Sequence, residues 1–214
     1  MNDCILLTGF EPFGGESINS SQGVVRALRD TNVAGRNVVV KALPCEFGSC
    51  LAVLGQAIEQ CRPALVLALG QAAGRADLSL ERVAINVDDA SLPDNAGASP
   101  VDLAVVSAGP AAYFSTLPIK AMVAALRAAG IPASVSQSAG TYVCNHLFYG
   151  LQHRLAGSGV RSGFLHLPLL PEQAAHRPGQ PSMALQTMID GVRIALAAAL
   201  AAERDLRVSG GALS

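Results

Sequence analysis

The 214-residue chain has no tryptophan and only nine aromatic side chains, six Phe and three Tyr. Its core must therefore be mainly aliphatic, which half-hydrophobic composition allows. Charge is sparse and balanced, with 15 Lys plus Arg against 16 Asp plus Glu and no basic run. A nucleic-acid partner is not expected, because such proteins present a basic face. No Cys-x-x-Cys pair occurs, and the five cysteines (Cys4, Cys45, Cys50, Cys61, Cys144) are odd in number. The opening Met-Asn-Asp-Cys-Ile-Leu-Leu lacks a positive flank and a long apolar run. Reduced thiols, a cytoplasmic location and no structural metal site are the expectations. Long hydrophobic runs are missing as well. Residues 194–202 are Ala-rich and reach about half a membrane span, so they read as a packed helix and no membrane partner is expected.

What is present is an alternation of short apolar runs with longer amphipathic stretches. Strands are expected over residues 4–8, 37–43, 64–69, 133–137 and 162–167, with an extended stretch over 80–87. The unbroken run Ala64-Leu65-Val66-Leu67-Ala68-Leu69, ended by Gly70, suits a central strand buried on both faces. Helices are expected from Ser20 or Ser21 to about Arg29, over 47–60, from Pro118 through Ala129, over 142–156, and from Met183 to about Arg207. Residues 88–109 are polar and turn-rich and read as surface loop. The pattern implies one domain over 1–214, an α/β three-layer α/β/α sandwich around a mostly parallel or mixed sheet, with 209–214 a frayed tail. It fixes neither strand order nor function.

Three polar residues stand out. Cys144 lies at the expected strand-to-helix junction Ser138-Ala139-Gly140-Thr141-Tyr142-Val143-Cys144-Asn145. In a helix's first turn a thiol meets the positive end of the dipole and unpaired N–H groups, which favour the nucleophilic thiolate. Those N–H groups can also hold an oxyanion. The alternative is a small buried residue without chemistry. His166 falls in the apolar run Gly163-Phe164-Leu165-His166-Leu167-Pro168, where an imidazole needs a partner. It is either a catalytic base or a core histidine bonded to backbone. His146 is too close to Cys144 along the helix to face it, His153 lies seven residues beyond His146, and His176 sits in a Pro- and Gly-rich loop. Glu81 occupies a strand-like apolar stretch. It either orients a histidine, as the third member of a triad does, or pairs at the surface with Arg82 or Arg75.

Two loops follow strand ends, where open α/β sheets place ligands. Gly9-Phe10-Glu11-Pro12-Phe13-Gly14-Gly15 puts two of the scarce aromatics in a turn. Gly70-Gln71-Ala72-Ala73-Gly74-Arg75 matches neither the Walker phosphate loop nor the dinucleotide fingerprint.

Taken together, these segments resemble the pyroglutamyl-peptidase I (pyrrolidone-carboxylate peptidase) family of cysteine peptidases. The likeness rests on Thr8-Gly9-Phe10-Glu11-Pro12-Phe13-Gly14-Gly15, Gly70-Gln71, Leu80-Glu81-Arg82-Val83-Ala84-Ile85-Asn86, the Cys144 segment and Phe164-Leu165-His166-Leu167-Pro168, in that order. The resemblance implies that Glu81, Cys144 and His166 are catalytic and that no cofactor or metal is needed. It further implies that Phe10, Phe13 and Tyr142, with Val143, enclose a lactam ring. Gln71 would supply polar contacts and Asn19 would support the loop. The substrates would be pyroglutamyl peptides, and the assembly a homo-oligomer, often a tetramer. Three positions depart from the family pattern: Tyr142 where Phe is usual, Ser91 where Arg is usual, and Ala73 where Gly is usual. Competing readings are a phosphorylase or amidase on a similar sandwich, which would need phosphate-binding Arg or Ser groups at strand ends, and a binding protein without turnover.

Overall fold

The computed structural model describes residues 4–211. In chain order the strands are β1 (Cys4–Phe10), β2 (Asn32–Val33), β3 (Arg36–Leu43), β4 (Leu65–Gln71), β5 (Leu78–Glu81), β6 (Val83–Ile85), β7 (Ala112–Phe114), β8 (Ala133–Ser136) and β9 (Arg161–Leu167). The helices are α1 (Ser20–Ala27), α2 (Ser49–Cys61), α3 (Ile119–Ala128), α4 (Val143–Leu155), α5 (Pro171–Ala174) and α6 (Leu185–Ala201). Seven strands form one mixed sheet in the order β2-β3-β1-β4-β9-β5-β8, while β6 and β7 pair separately. The central strands β3, β1, β4 and β9 are parallel to one another. Beyond β9 the direction reverses, since β5 is antiparallel to β9 and parallel to β8.

Side-chain alternation sorts the core into two layers. In β1, Ile5 and Leu7 pack with α1, α3 and α6 on one side, whereas Leu6 and Phe10 pack with α2 and α4 on the other. In β4 the same division separates Leu65, Leu67 and Leu69 from Val66 and Ala68. Because successive strand residues point to opposite faces, an apolar run without alternation becomes a strand covered by helices on both sides. The α1/α3/α6 layer is wholly aliphatic, whereas the α2/α4 layer collects the scarce aromatics, among them Phe10, Phe148, Tyr149 and Phe164. The structure is thus the expected α/β/α sandwich.

The differences lie at the edges. Strand β4 continues through Gly70 to Gln71, because β9 pairs alongside it to Leu167. The stretch 80–87 divides at Arg82 between two sheets. Pro118 is the N-cap of α3 rather than part of its first turn. Helix α6 ends at Ala201, short of Arg207. The charged segment beyond it turns back, and Asp205 Oδ1 accepts the N–H groups of Lys120 and Ala121 at the start of α3 (3.0 Å each). The expected frayed tail is tethered at Gly210, whose carbonyl accepts from Arg82 Nη2 at 2.9 Å. Residues 212–214 of that tail lie outside the described residues. The 88–109 segment is irregular, as expected, yet it buries Asp88 and Asp94.

Candidate active site

The same alternation brings two of the singled-out residues, Glu81 and His166, to the face covered by α4, the helix that carries the third. In β9, Leu165 and Leu167 face the α6 layer and Phe164 faces α4, so His166 points toward α4. In β5, Leu78 and Leu80 face the α6 layer, which turns Glu81 the other way. Both side chains are buried, at 4 % and 0 % exposure. His166 Nδ1 lies 2.7 Å from Glu81 Oε1. A carboxylate only accepts, so Nδ1 carries the hydrogen and Nε2 keeps its lone pair. Arg75 Nη1 reaches the same oxygen at 2.9 Å, while its Nη2 donates to Ser138 carbonyl at 3.1 Å. Glu81 thus meets both His166 and Arg75, and the Arg75 pair is made by a fully buried carboxylate rather than at the surface.

Cys144 approaches from α4. Gly70 is paired with His166 across β4 and β9. A Cβ at Gly70 would stand 2.9 Å from Cys144 Sγ and 2.7 Å from the Phe164 ring. Only a residue without a side chain leaves room for the thiol beside the imidazole strand. The turn that delivers Cys144 uses Gly140 at φ 78°, a conformation that disfavours side chains. Tyr142 is the N-cap of α4 and makes no side-chain cap. The first-turn N–H groups are thus without intrahelical acceptors. Asn145, whose role the sequence did not reveal, anchors the turn. Its Nδ2 donates to Ile85 and Val87 carbonyls (2.9 Å each) and its Oδ1 accepts Ile85 N–H (3.0 Å). It is fully buried, which its place in a first helical turn did not signal.

The electrostatics bear on the thiolate expectation. Burial drives the Cys144 thiol well above its ordinary value, helped by nearby Cys45, Glu81 and Cys50, with only Arg75 opposing. Burial also lowers His166, against the hydrogen bond and charge of Glu81 and with Arg75 assisting. Both shifts favour the uncharged forms. Loss of solvent thus works against the helix dipole that argued for a thiolate.

Of the expected pocket residues, Phe10 and Gln71 end β1 and β4, while Tyr142 and Val143 stand at the start of α4. Phe13 and Tyr142 are half-buried, with ring centroids 6.1 Å apart. Phe10 is buried at 2 % among Leu43, Cys45 and Val143, so it forms packed floor beneath them rather than an open wall. Val143 itself is fully buried. Asn19 caps α1 by accepting Ser21 N–H at 2.9 Å, and its Nδ2 holds Glu11 carbonyl at 3.2 Å, which supports the glycine-rich loop as expected. Gln71 Oε1 accepts Ser20 N–H at 2.8 Å, leaving its amide nitrogen as the group available to a ligand. The Tyr142 hydroxyl donates to Pro93 carbonyl at 3.1 Å, so this departure from the family pattern has its partner. Ser91 and Ala73 are exposed. His176 is exposed, and His153 bonds the Tyr113 hydroxyl at 2.8 Å. His146 is buried beside Asp88, an arrangement the sequence did not reveal.

A thiol, an imidazole and a carboxylate converging at strand ends of an α/β/α sandwich define the class of proteins with a cysteine nucleophile. Comparison narrows the class. The family model described as pyroglutamyl peptidase matches residues 3–202. The chain is 59 % identical over 212 residues to the pyrrolidone-carboxylate peptidase of Cupriavidus taiwanensis, covering 98 % of each. It is 56 % identical over 211 residues to that of Yersinia pestis, again covering 98 % of each. The crystal structure of pyroglutamyl peptidase I from Bacillus amyloliquefaciens superposes with a TM-score of 0.94 at 41 % identity, over 98 % of this chain and 100 % of that one. A mutant pyrrolidone carboxyl peptidase from Pyrococcus furiosus gives 0.89 at 39 % identity, over 92 % and 97 %. The chain belongs to the pyroglutamyl peptidase family.

Proposed function

We propose that the protein is a cysteine exopeptidase that hydrolyses the N-terminal pyroglutamyl residue from peptides and proteins, with Cys144, His166 and Glu81 as its catalytic group. The observation that carries this reading is the Cys144 thiol seated against Gly70, next to a His166 whose Nδ1 is held by Glu81. From the uncharged forms that burial favours, His166 Nε2 accepts the thiol proton as Sγ attacks the pyroglutamyl carbonyl. The oxyanion is met by first-turn N–H groups of α4. The imidazolium then protonates the leaving amine, the C–N bond breaks, and a thioester remains. Water, deprotonated by His166, hydrolyses it and returns the proton to sulfur. Glu81 holds the ring in the tautomer each step requires.

Pocket chemistry accounts for selectivity. Phe13 and Tyr142 enclose the lactam ring above Phe10 and Val143, and the Gln71 amide nitrogen donates to the lactam carbonyl. A charged free N-terminus would lose its hydration there without compensation. Proline, which lacks the ring carbonyl, would leave the Gln71 donor unanswered. The residues of the site supply this chemistry without a metal or cofactor. A single domain over 1–214, a cytoplasmic location and a homo-oligomeric, tetrameric assembly accompany this reading. Light scattering after size exclusion tests the assembly. Among the described residues, no helix is long and apolar enough to cross a membrane.

The test is release of a fluorogenic amine from a pyroglutamyl amide and from the matching prolyl amide, with wild type and Cys144→Ala under reducing conditions. Release from the pyroglutamyl compound alone, abolished in the variant, is expected. A folded wild type that releases nothing overturns the peptidase reading.

A further inference from the structure

A second buried carboxylate–imidazole pair lies on the helix that carries the nucleophile. His146 Nδ1 stands 2.7 Å from Asp88 Oδ2, and both residues are at or below 6 % exposure. The carboxylate accepts, so the hydrogen is on Nδ1 and the Nε2 lone pair faces outward from the pair. It accepts the N–H of Gly48 at 3.0 Å. This nitrogen is therefore committed to backbone and unavailable for proton transfer.

What it holds is more informative. The preceding residue, Phe47, packs edge-on against the imidazole, with centroids 5.3 Å apart and planes at 83°. Its other side meets the Tyr142 ring at 5.5 Å and 89°. Its own N–H donates to Asp94 Oδ2 at 2.8 Å, and Asp94 Oδ1 is engaged by the N–H groups of Ala96 and Ala98. Phe47 is thus fixed at its backbone by Asp94, at the next peptide by His146, and at its ring by the imidazole. Its remaining face buttresses Tyr142, which on its far side looks across to Phe13.

We propose that His146 and Phe47 are positioning residues that hold the Tyr142 ring in place to grip the lactam, and so set affinity for the pyroglutamyl group rather than the rate of its transfer. This rests on the reading that Phe13 and Tyr142 enclose the lactam. A ring–ring buttress acts only while its members stay oriented, and each such contact accounts for a roughly 2- to 10-fold change in binding. His146 serves as a rigid two-ended link, donating to Asp88 and accepting from Gly48. Glutamine can reproduce both ends and leucine neither.

The experiment compares Phe47→Leu, His146→Leu and His146→Gln with wild type in two assays: hydrolysis of the pyroglutamyl amide, and binding of 2-pyrrolidone followed by NMR titration. Phe47→Leu and His146→Leu should raise both KM and the 2-pyrrolidone Kd about 5-fold, with kcat within about 2-fold, and His146→Gln should restore most of the loss. A lower kcat with KM and Kd unchanged is what mere loss of folded protein would give, and it overturns the proposal. Unchanged values in both leucine variants overturn it as well. The binding arm separates this inference from the peptidase reading. Wild type that binds 2-pyrrolidone without turnover still tests the clamp, while wild type that neither binds nor hydrolyses overturns both.

Discussion

The pairs Glu81–His166 and Asp88–His146 share one design and differ in what the second imidazole nitrogen meets. Each has a carboxylate oxygen 2.7 Å from Nδ1, and each is buried. In the first, the strand beside the imidazole is hollowed at Gly70 to admit a thiol. In the second, Nε2 is capped by Gly48 N–H. A buried acid–imidazole pair is therefore not in itself a mark of catalysis. It is a way of fixing a ring and its tautomer, and the neighbour of the other nitrogen decides the use.

The strongest way to break the comparison is to change both acids alike. Glu81→Gln should lower kcat about 10³-fold, because the amide can present the wrong hydrogen-bonding partner to Nδ1. Asp88→Asn, assayed alongside it for the same amine release, should change kcat by less than about 3-fold. Equal losses would erase the distinction between the pairs.

Next comes the space for the thiol. In Gly70→Ala the new methyl would sit 2.9 Å from Cys144 Sγ. Displacing sulfur by a fraction of an ångström or more from its line of attack should lower kcat/KM roughly 10- to 100-fold. Reaction of Cys144 with iodoacetamide, followed by mass spectrometry, should report the same displacement.

The smallest effect is on stability. The His166 pKa is lowered by burial from 6.5, so the unfolded chain binds its proton more readily. Its contribution to stability is complete above about pH 6.5 and is lost as pH falls through the folded pKa. Burial, with a smaller push from Asp94 and Glu46, drives the Cys45 thiol up to about 12 from 9.0, against an opposing hydrogen bond from Tyr142. Above pH 9 the unfolded thiol ionises first, so stability falls again as pH rises. Urea unfolding as a function of pH should give a plateau between those limits. Activity should keep its acid limb below pH 6.5, the sign set by the lowered His166.

Much of this is legible in the amino-acid sequence. Strict alternation and unbroken apolar runs specify buried strands, so β1, β4 and β9 and the helices between them could be placed to within a few residues. The order of strands could not, because the antiparallel turn-about of β5 depends on contacts far apart in sequence. Glu81 and His166 stood out as polar groups in apolar runs and Cys144 by its strand-to-helix junction, but each had a plain structural alternative, and only the family resemblance joined the three. Phe47, Asp94 and Asn145 were not legible, because a half-buried ring, a loop aspartate and a polar residue in a helix's first turn look ordinary until the chain folds them against Tyr142 and β6. The surroundings of Cys144 show the same division: the dipole is a local property of the helix, whereas the burial that opposes it comes from packing distant in sequence.

The placement of the catalytic candidates by strand parity has a consequence for how such a gene can change. Substitutions along β5 and β9 act one side chain at a time, and the sandwich can absorb many of them. Insertion or deletion of a single codon would rotate every later residue of the strand by half a turn, carrying His166 or Glu81 from the α4 face into the opposite layer. The 88–109 segment has no such parity to preserve, and outside its anchors around Asp88 and Asp94 its length can drift among descendants, while the strand lengths beside the thiol stay fixed.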